Sequence, residues 1–290
     1  MDWKNKFPKE KRYYETENGI LYKGDAVEIL TQFSNESIDA VITDPPYGLS
    51  KHTEKTIRKT MLKWLQGEED YVPKKKGFMG RAWDGFVPPP ALWKEVYRVM
   101  KYGATIMVFA GTRTQDLMTM SLRLAGFEIK DTLMWFYGSG FPKGQNIGKQ
   151  IDKQLGFERE IVGRNPNSRE TSGKENTLYE SGTVGKTAHI TKPASPEAEL
   201  WEGYSTHSIK PAYEPIIMAM KPNDGNYVSN ALKWGVAGLN IKETRIPTDP
   251  KKDDMLRTVS RKKRQSETWE KGSGFKNEKN SLTGLTYSHD

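Results

Sequence analysis

Asp44, Pro45, Pro46 and Tyr47 follow the apolar run "SIDAVIT" and put a carboxylate, two rigid residues and a flat ring at the mouth of a strand. From average residue usage, an Asp-Pro-Pro-Tyr match in a chain of 290 residues is expected by chance on the order of 10⁻³ times. Rarity leaves two readings open. Pro-Pro after a strand is an ordinary way to stop a sheet, so the quartet could be a rigid turn capped by an aspartate. The other reading is a site, and the context favours it: Gly48 follows, and a second acidic strand end, Asp25 in "LYKGDAVEIL", lies about 20 residues upstream. With no cysteine in the chain, disulfides, thiolate nucleophiles and Cys-based zinc sites are excluded, and the four histidines form no spaced metal pair. Any chemistry must come from carboxylates, backbone, aromatics or a bound cofactor.

The elements that would position such a site alternate in the first half. "GILYKGD", "AVEILTQF" and "SIDAVITDPPY" have the rhythm of a βαβ unit. Pro88 to Pro90 open "ALWKEVYRVMK", whose Leu92, Val96, Val99 and Met100 share a helical face before Gly103 ends it. "ATIMVFAG" reads as the next strand, "TRTQDLMTMSLRLAGF" as a helix closed by Gly126, and "EIKDTLMWFYGSG" as a long strand or strand pair. Strands separated by helices imply a mostly parallel α/β sheet with helices on both faces, which binds ligands outside the carboxyl ends of its strands. "DPPY" and "FAGTR" both sit at such ends. The catalytic α/β core is thus expected over 1–157. The stretch 158–205 is poor in periodicity and reads as an irregular insertion. "AYEPIIMAMKP" within 206–247 gives a returning strand that completes the core, and 248–290, with "RKKR" at Arg261 to Arg264, reads as a polar, weakly structured tail.

Lys and Arg outnumber Asp and Glu by 45 to 37, a net charge of +8, which suits a polyanionic partner and favours nucleic acid over membrane. There is no run of 18 apolar residues and no signal-peptide pattern at the start, so a cytoplasmic protein is expected.

These residues resemble the amino-methylating DNA methyltransferases, which methylate adenine N6 or cytosine N4 with S-adenosylmethionine. Their catalytic motif, [Asp/Asn/Ser]-Pro-Pro-[Tyr/Phe/Trp], is matched by Asp44 to Tyr47. "GDAVEILTQFSNESIDAVITDPPYG" is similar to the approach to that motif in the beta subgroup, where it lies near the N-terminus. "GFMGRAWDG", "FAGTRT", "WFYGSGFPKGQNIGK" and "HSIKPAYEPIIMAMKP" are similar to segments of phage and prophage members, so the resemblance runs from about Gly19 to Pro247. It implies a Rossmann-like S-adenosylmethionine-dependent methyltransferase sheet, circularly permuted and incomplete at its C-terminus, in a bacterial or phage-infected host cell with a place in restriction-modification.

The resemblance also implies roles. The Asp44 carboxylate and the Pro45 carbonyl would accept the two amino hydrogens of the target base, Pro46 would hold that carbonyl still, and Tyr47 would stack on a base flipped out of the duplex. Asp25 would help hold the cofactor; it is equally suited to cap the helix "AVEIL". Phe109, Ala110 and Gly111 could wall the same pocket or simply end a strand, whereas Ser139 and Gly140 read as a turn. "SKHTEKTIRKTMLKW" carries five Lys/Arg against one Glu, so Lys51, Lys55, Arg58 and Lys59 are candidates for DNA phosphates, or else one solvated helix face. Arg81, Trp83, Arg113 and Thr114 are further candidates on the substrate side, and in such an enzyme the irregular stretch 158–205 would be the natural place for target recognition. Asp at the first motif position is commoner in adenine enzymes, which favours N6 of adenine over N4 of cytosine.

One part of the family pattern is missing. The cofactor-gripping Asp-Pro-Phe-x-Gly-Ser-Gly motif should follow the catalytic half, yet "HSIKP" leads only into "AYEPIIMAMKPNDGNYVSNALKWGVAGLNI". Three possibilities follow: a shortened methyltransferase, a split enzyme whose partner polypeptide supplies the glycine loop, or a DNA-binding module that has lost catalysis.

Overall fold

A 3₁₀ turn, Trp3–Lys6, leads into β1 (Arg12–Glu15) and β2 (Ile20–Tyr22), which pair antiparallel with each other. The computed structural model describes residues 3–74, 84–138, 144–164, 189–207, 209 and 212–246. Arg81, Trp83, Ser139, Gly140, residues 165–188 and the tail from 247 with its Arg261 to Arg264 cluster lie outside those residues. The strand expected at "GILYKGD" therefore forms, but it does not open a βαβ unit in the main sheet. Its partner is β1, and Arg12 binds that hairpin to the preceding turn by donating to the carbonyls of Lys4, Phe7 and Pro8.

After α1 (Ala26–Leu30) the chain enters β3 (Ile38–Thr43), then α2 (Glu54–Leu65), α3 (Pro90–Val99), β4 (Met100–Phe109), α4 (Gln115–Leu124) and β5 (Glu128–Phe136). α5 (Ile147–Leu155), β6 (Ile161–Arg164), β7 (His189–Thr191) and α6 (Pro196–Leu200) follow, then β8 (Tyr213–Met220) and α7 (Tyr227–Trp234). The chain divides into two units, Met1–Gly238 and Leu239–Asp290, the second containing α8 (Ile241–Thr244) behind its cap Asn240. The main sheet has the order β3-β4-β8-β5. β3 and β4 are parallel, while β8 runs antiparallel to both of its neighbours, so the sheet is mixed. Gly103 does not end α3: the helix stops at Val99, and β4 starts at Met100 and passes through Gly103, whose N–H donates to Lys221 O.

Alternation decides which sheet face is covered. Ile106 and Val108 of β4 and Ile217 and Ala219 of β8 are fully buried against Trp93 and Val96 of α3 and Leu117, Met118 and Leu122 of α4. Each large apolar side chain so buried contributes about 1.5–3 kcal/mol. Ser121 tolerates this setting because its hydroxyl donates to Pro88 O at 2.7 Å. On the other face Thr105, Met107, Phe109, Ile216 and Met218 are half-buried, and Ile42, on the edge strand β3, is 74% exposed.

Lys221, buried at the far end of β4 from the DPPY turn, donates to Met100 O at 2.8 Å and lies over the rings of Tyr97 and Tyr102. The 158–205 stretch, read as irregular, contains β6 paired with β7, and α6, among the described residues. Asp152 of α5, only 1% exposed, holds it: Oδ1 accepts from the Ser195 hydroxyl, Oδ2 from the Ala194 N–H, and Arg159 pairs with it at 3.0 Å. Burial works against that carboxylate's charge, but Ser195, Ala194 and Arg159 together hold its pKa below the ordinary value.

Candidate active site

β3 and β4 end side by side, with Thr43 opposite Val108, so the DPPY turn and the segment Ala110 to Thr114 leave neighbouring carboxyl ends of parallel strands. That is the place where open α/β sheets form their binding crevice. Two glycines and a threonine seat the turn. Gly48 has φ +67°, and a Cβ there would lie 2.7 Å from Val87 N and 2.9 Å from Phe86 C, so no side chain fits. Its N–H donates to buried Asp84 at 3.0 Å. The Thr114 hydroxyl, at the start of α4, donates to Tyr47 O at 2.7 Å. Gly111 leaves room for that hydroxyl: an added Cβ would lie 3.0 Å from Thr114 Oγ1, and at an ordinary contact distance of 3.5 Å from Tyr47 Cβ.

Tyr47 is half-buried, with the carboxylates of Asp44 and Glu214 in its surroundings. Burial first, and then those two carboxylates, push the phenol well above the usual tyrosine range, so it stays protonated at neutral pH. Glu214 arrives on β8, where the next residue, Pro215, accepts the Ala110 N–H at 3.0 Å and so ties the strand to the end of β4.

A cavity of about 480 Å³ opens here, within the roughly 300–1,000 Å³ of small-ligand sites. Tyr47, Tyr137 and Tyr213 give it aromatic walls, Phe86 and His52 stand on another side, and Lys51 and Arg113 bring positive charge to its lining. His52 is held in place by Gly85 O at 2.7 Å and by an edge contact of its ring with Phe86. An aromatic cavity with convergent polar groups accepts a flat heteroaromatic ring by stacking and hydrogen bonding. Asp44 is exposed and lies outside the lining, while Pro45 and Pro46 form the half-buried turn between it and Tyr47.

The predicted residues separate into groups. Tyr47, Gly111, Lys51, Arg113 and Thr114 line the cavity, and Asp44 lies three residues before Tyr47, outside the lining. Phe109 is the last residue of β4 and lies outside the lining. Asp25 also lies outside it and serves as the N-cap of α1, Oδ1 accepting from Val27 N–H at 2.9 Å and Glu28 N–H at 3.2 Å. Lys55, Arg58 and Lys59 are exposed on the outer side of α2, along a shallow groove with Leu62, while Ile57, Thr60 and Trp64 turn inward. Sequence reasoning missed Glu214, Tyr213 and Tyr137 as site residues. "AYEP" and "WFYG" signalled strand, and only the pairing of β5 with β8 brings them to the cavity.

S-adenosylmethionine is the methyl donor of the family the sequence resembles. Toward such a donor the described residues offer the strand ends at Asp44 and Gly111 and no Asp-Pro-Phe-x-Gly-Ser-Gly turn.

Comparisons with known proteins give the family. Residues 38–288 match the family model for DNA methylases that act at N6 or N4. Type II methyltransferase M.ScaI of Streptomyces caespitosus is 22% identical over 251 residues, covering 80% of this chain and 76% of that protein. M.HindIII of Haemophilus influenzae is 22% identical over 241 residues, covering 76% of this chain and 64% of that protein. Among solved structures, a putative DNA modification methylase from Thermus thermophilus is 15% identical with a TM-score of 0.32. The match covers 81% of this chain and 61% of that one, so the chain spans less than two thirds of the structure it matches. On the family match, which covers most of its length and includes the DPPY turn, the chain belongs to the N6/N4 DNA methylase family.

Proposed function

We propose that this chain methylates an exocyclic amine of a base in DNA, adenine N6 in the first instance, on a nucleotide extruded from the duplex. The observation that carries the proposal is the Asp44 to Tyr47 turn at paired strand ends, opening on an aromatic-walled cavity.

An aromatic amine is a poor nucleophile because its lone pair is delocalised into the ring. A catalyst has to localise that pair, and hydrogen-bond acceptors on both amino hydrogens do so. Asp44 and the Pro45 carbonyl are proposed as those acceptors, with the two prolines holding the carbonyl still. Tyr47 stacks on the base, and Tyr137 and Tyr213 offer further ring surface in the same cavity. No strong base is needed beforehand, because Asp44 takes the surplus proton during or after transfer. S-adenosylmethionine, when bound, supplies the methyl group. Lys51 and Arg113 at the cavity, and Lys55, Arg58 and Lys59 on α2, are proposed to hold phosphates. Asp25, Phe109 and Gly111 remain the proposed cofactor edge.

A second reading, in which another polypeptide supplies the cofactor loop, is favoured by the exposed Ile42 on β3, an edge of the main sheet among the described residues. Calorimetric titration with S-adenosylmethionine separates the two: binding by this chain alone supports the first. The proposal itself is tested with radiolabelled donor and unmethylated genomic DNA, the product nucleoside being identified by chromatography. Asp44→Ala is expected to abolish transfer and to leave DNA binding intact. Near-normal turnover in that variant overturns the assignment, and N4-methylcytosine as product replaces adenine with cytosine.

A further inference from the structure

Asp84 is a buried acidic residue, 6% exposed, to which the amine-orienting scheme gives no task. It stands against the end of the DPPY turn, where its Oδ1 accepts the Gly48 N–H at 3.0 Å. The same peptide group is held at its other edge, because the Tyr47 carbonyl accepts from the Thr114 hydroxyl at 2.7 Å. In a planar trans peptide the C=O and the N–H point in opposite directions, so two side chains from separate segments grip one plane from both sides. Each grip has a firm base. Phe86 and Val87, just after Asp84, are buried in the core, and Thr114 stands at the start of α4, whose Leu117 and Met118 are buried in the same core.

The grip is directional. A carboxylate offers only acceptors, so it suits an N–H and repels a carbonyl. Rotating the Tyr47–Gly48 plane by half a turn would aim the Tyr47 carbonyl at Asp84, losing one hydrogen bond and setting two acceptors against each other. Glycine alone does not choose between the two orientations, because it populates positive and negative φ about equally, and Gly48 sits at φ +67°. The rotation also turns the backbone bond beside the Tyr47 Cα, which carries the ring. We propose that Asp84 is a positioning residue: together with Thr114 it locks the Tyr47–Gly48 peptide in one orientation and so fixes the Tyr47 ring for stacking on the extruded base. This rests on the methyl-transfer reading above. Asp84 acts through the peptide and does not touch the reacting atoms.

The sequence supplies a probe of that one peptide. Tyr precedes Gly at three places, 47–48, 102–103 and 137–138, so a chain carrying ¹³C at its tyrosine carbonyls and ¹⁵N in its glycines gives three carbonyl–nitrogen correlations. Tyr47→Phe removes the first and thereby assigns it. Asp84→Leu keeps a branched side chain but no acceptor; the 47–48 amide proton should move upfield while the other two stay. Single-turnover methyl transfer to unmethylated genomic DNA should fall about tenfold or more in that variant, as for loss of a hydrogen bond to a charged group. Asp84→Asn, which keeps an acceptor oxygen, should recover most of the resonance position and of the rate, an outcome that neither a space-filling role nor a role for the charge itself gives. Thr114→Val releases the other edge of the peptide and should slow transfer about two- to tenfold. An unmoved 47–48 resonance in Asp84→Leu overturns the proposal, and so does a moved resonance with transfer within about twofold of the unmodified chain. Equal losses in Asp84→Asn and Asp84→Leu overturn it as well. If Asp84→Leu unfolds, all three resonances collapse together and Thr114→Val decides: full-rate transfer with the 47–48 resonance displaced overturns the proposal. If the resonances behave as expected but the unmodified chain transfers no methyl group, the grip stands, while the methyl-transfer reading and the part of Asp84 in it both fall.

Discussion

Gly48→Ala tests whether the DPPY turn is held by steric fit. At φ +67° an alanine meets a left-handed backbone cost of about 1–2 kcal/mol. Its Cβ would also lie 2.7 Å from Val87 N and 2.9 Å from Phe86 C, both backbone atoms that cannot swing aside as a side chain can. Phe86 and Val87 are themselves buried in the core, at 4% and 1% exposure, so the overpacking adds about 1–3 kcal/mol. Together these give about 2–5 kcal/mol, or a fall in Tm of about 4–20 °C for a domain of this size. Gly67 supplies the control. Its φ of +94° is at least as unfavourable for alanine, yet nothing lies within 4 Å of an added Cβ, so Gly67→Ala keeps only the backbone cost of about 1–2 kcal/mol. Thermal unfolding followed by circular dichroism should place Gly48→Ala below Gly67→Ala by the clash alone, about 2–12 °C. Methyl transfer should separate them further, because Gly48 directly follows Tyr47 and a shift of about 1 Å in a positioned group can cost about 10²-fold. Equal melting temperatures, or equal rates, would show that the Phe86–Val87 backbone is not what seats the turn.

Two further outcomes are expected. If the outer side of α2 grips phosphates, Lys55→Glu with Lys59→Glu should flatten the dependence of log K for DNA on log salt by about 1.8, two contacts at about 0.9 each, measured by fluorescence anisotropy; an unchanged slope returns those residues to a solvated helix face. Asp152 has a folded pKa depressed below its ordinary 3.8, so its contribution is present above that value and is lost as pH falls through the folded pKa. Hydrogen exchange in α5 and α6 should therefore quicken below about pH 4, relative to β4 and β8, and Asp152→Asn should remove that pH dependence; parallel exchange throughout would sink the idea that this carboxylate holds the insertion.

The site was legible in the sequence where its parts are local. The proposed chemistry asks for rigidity, an acceptor and a ring in one turn, which Asp44 to Tyr47 supply as consecutive residues, and Gly48 completes that turn. Contacts between distant segments leave no comparable trace. Glu214 lies 167 positions after Tyr47, counting from 47 to 214, and "AYEPII" reads the same whether its strand is parallel or antiparallel, central or at an edge. The same reason explains the misplaced first strand: "GILYKGD" has strand composition, but only its pairing with Arg12–Glu15 decides that it leaves the main sheet. Asp25 shows the converse limit. A short acidic residue before "AVEIL" satisfies the requirements of a helix cap and of a ligand to a bound molecule equally well, and the structure shows the cap being made.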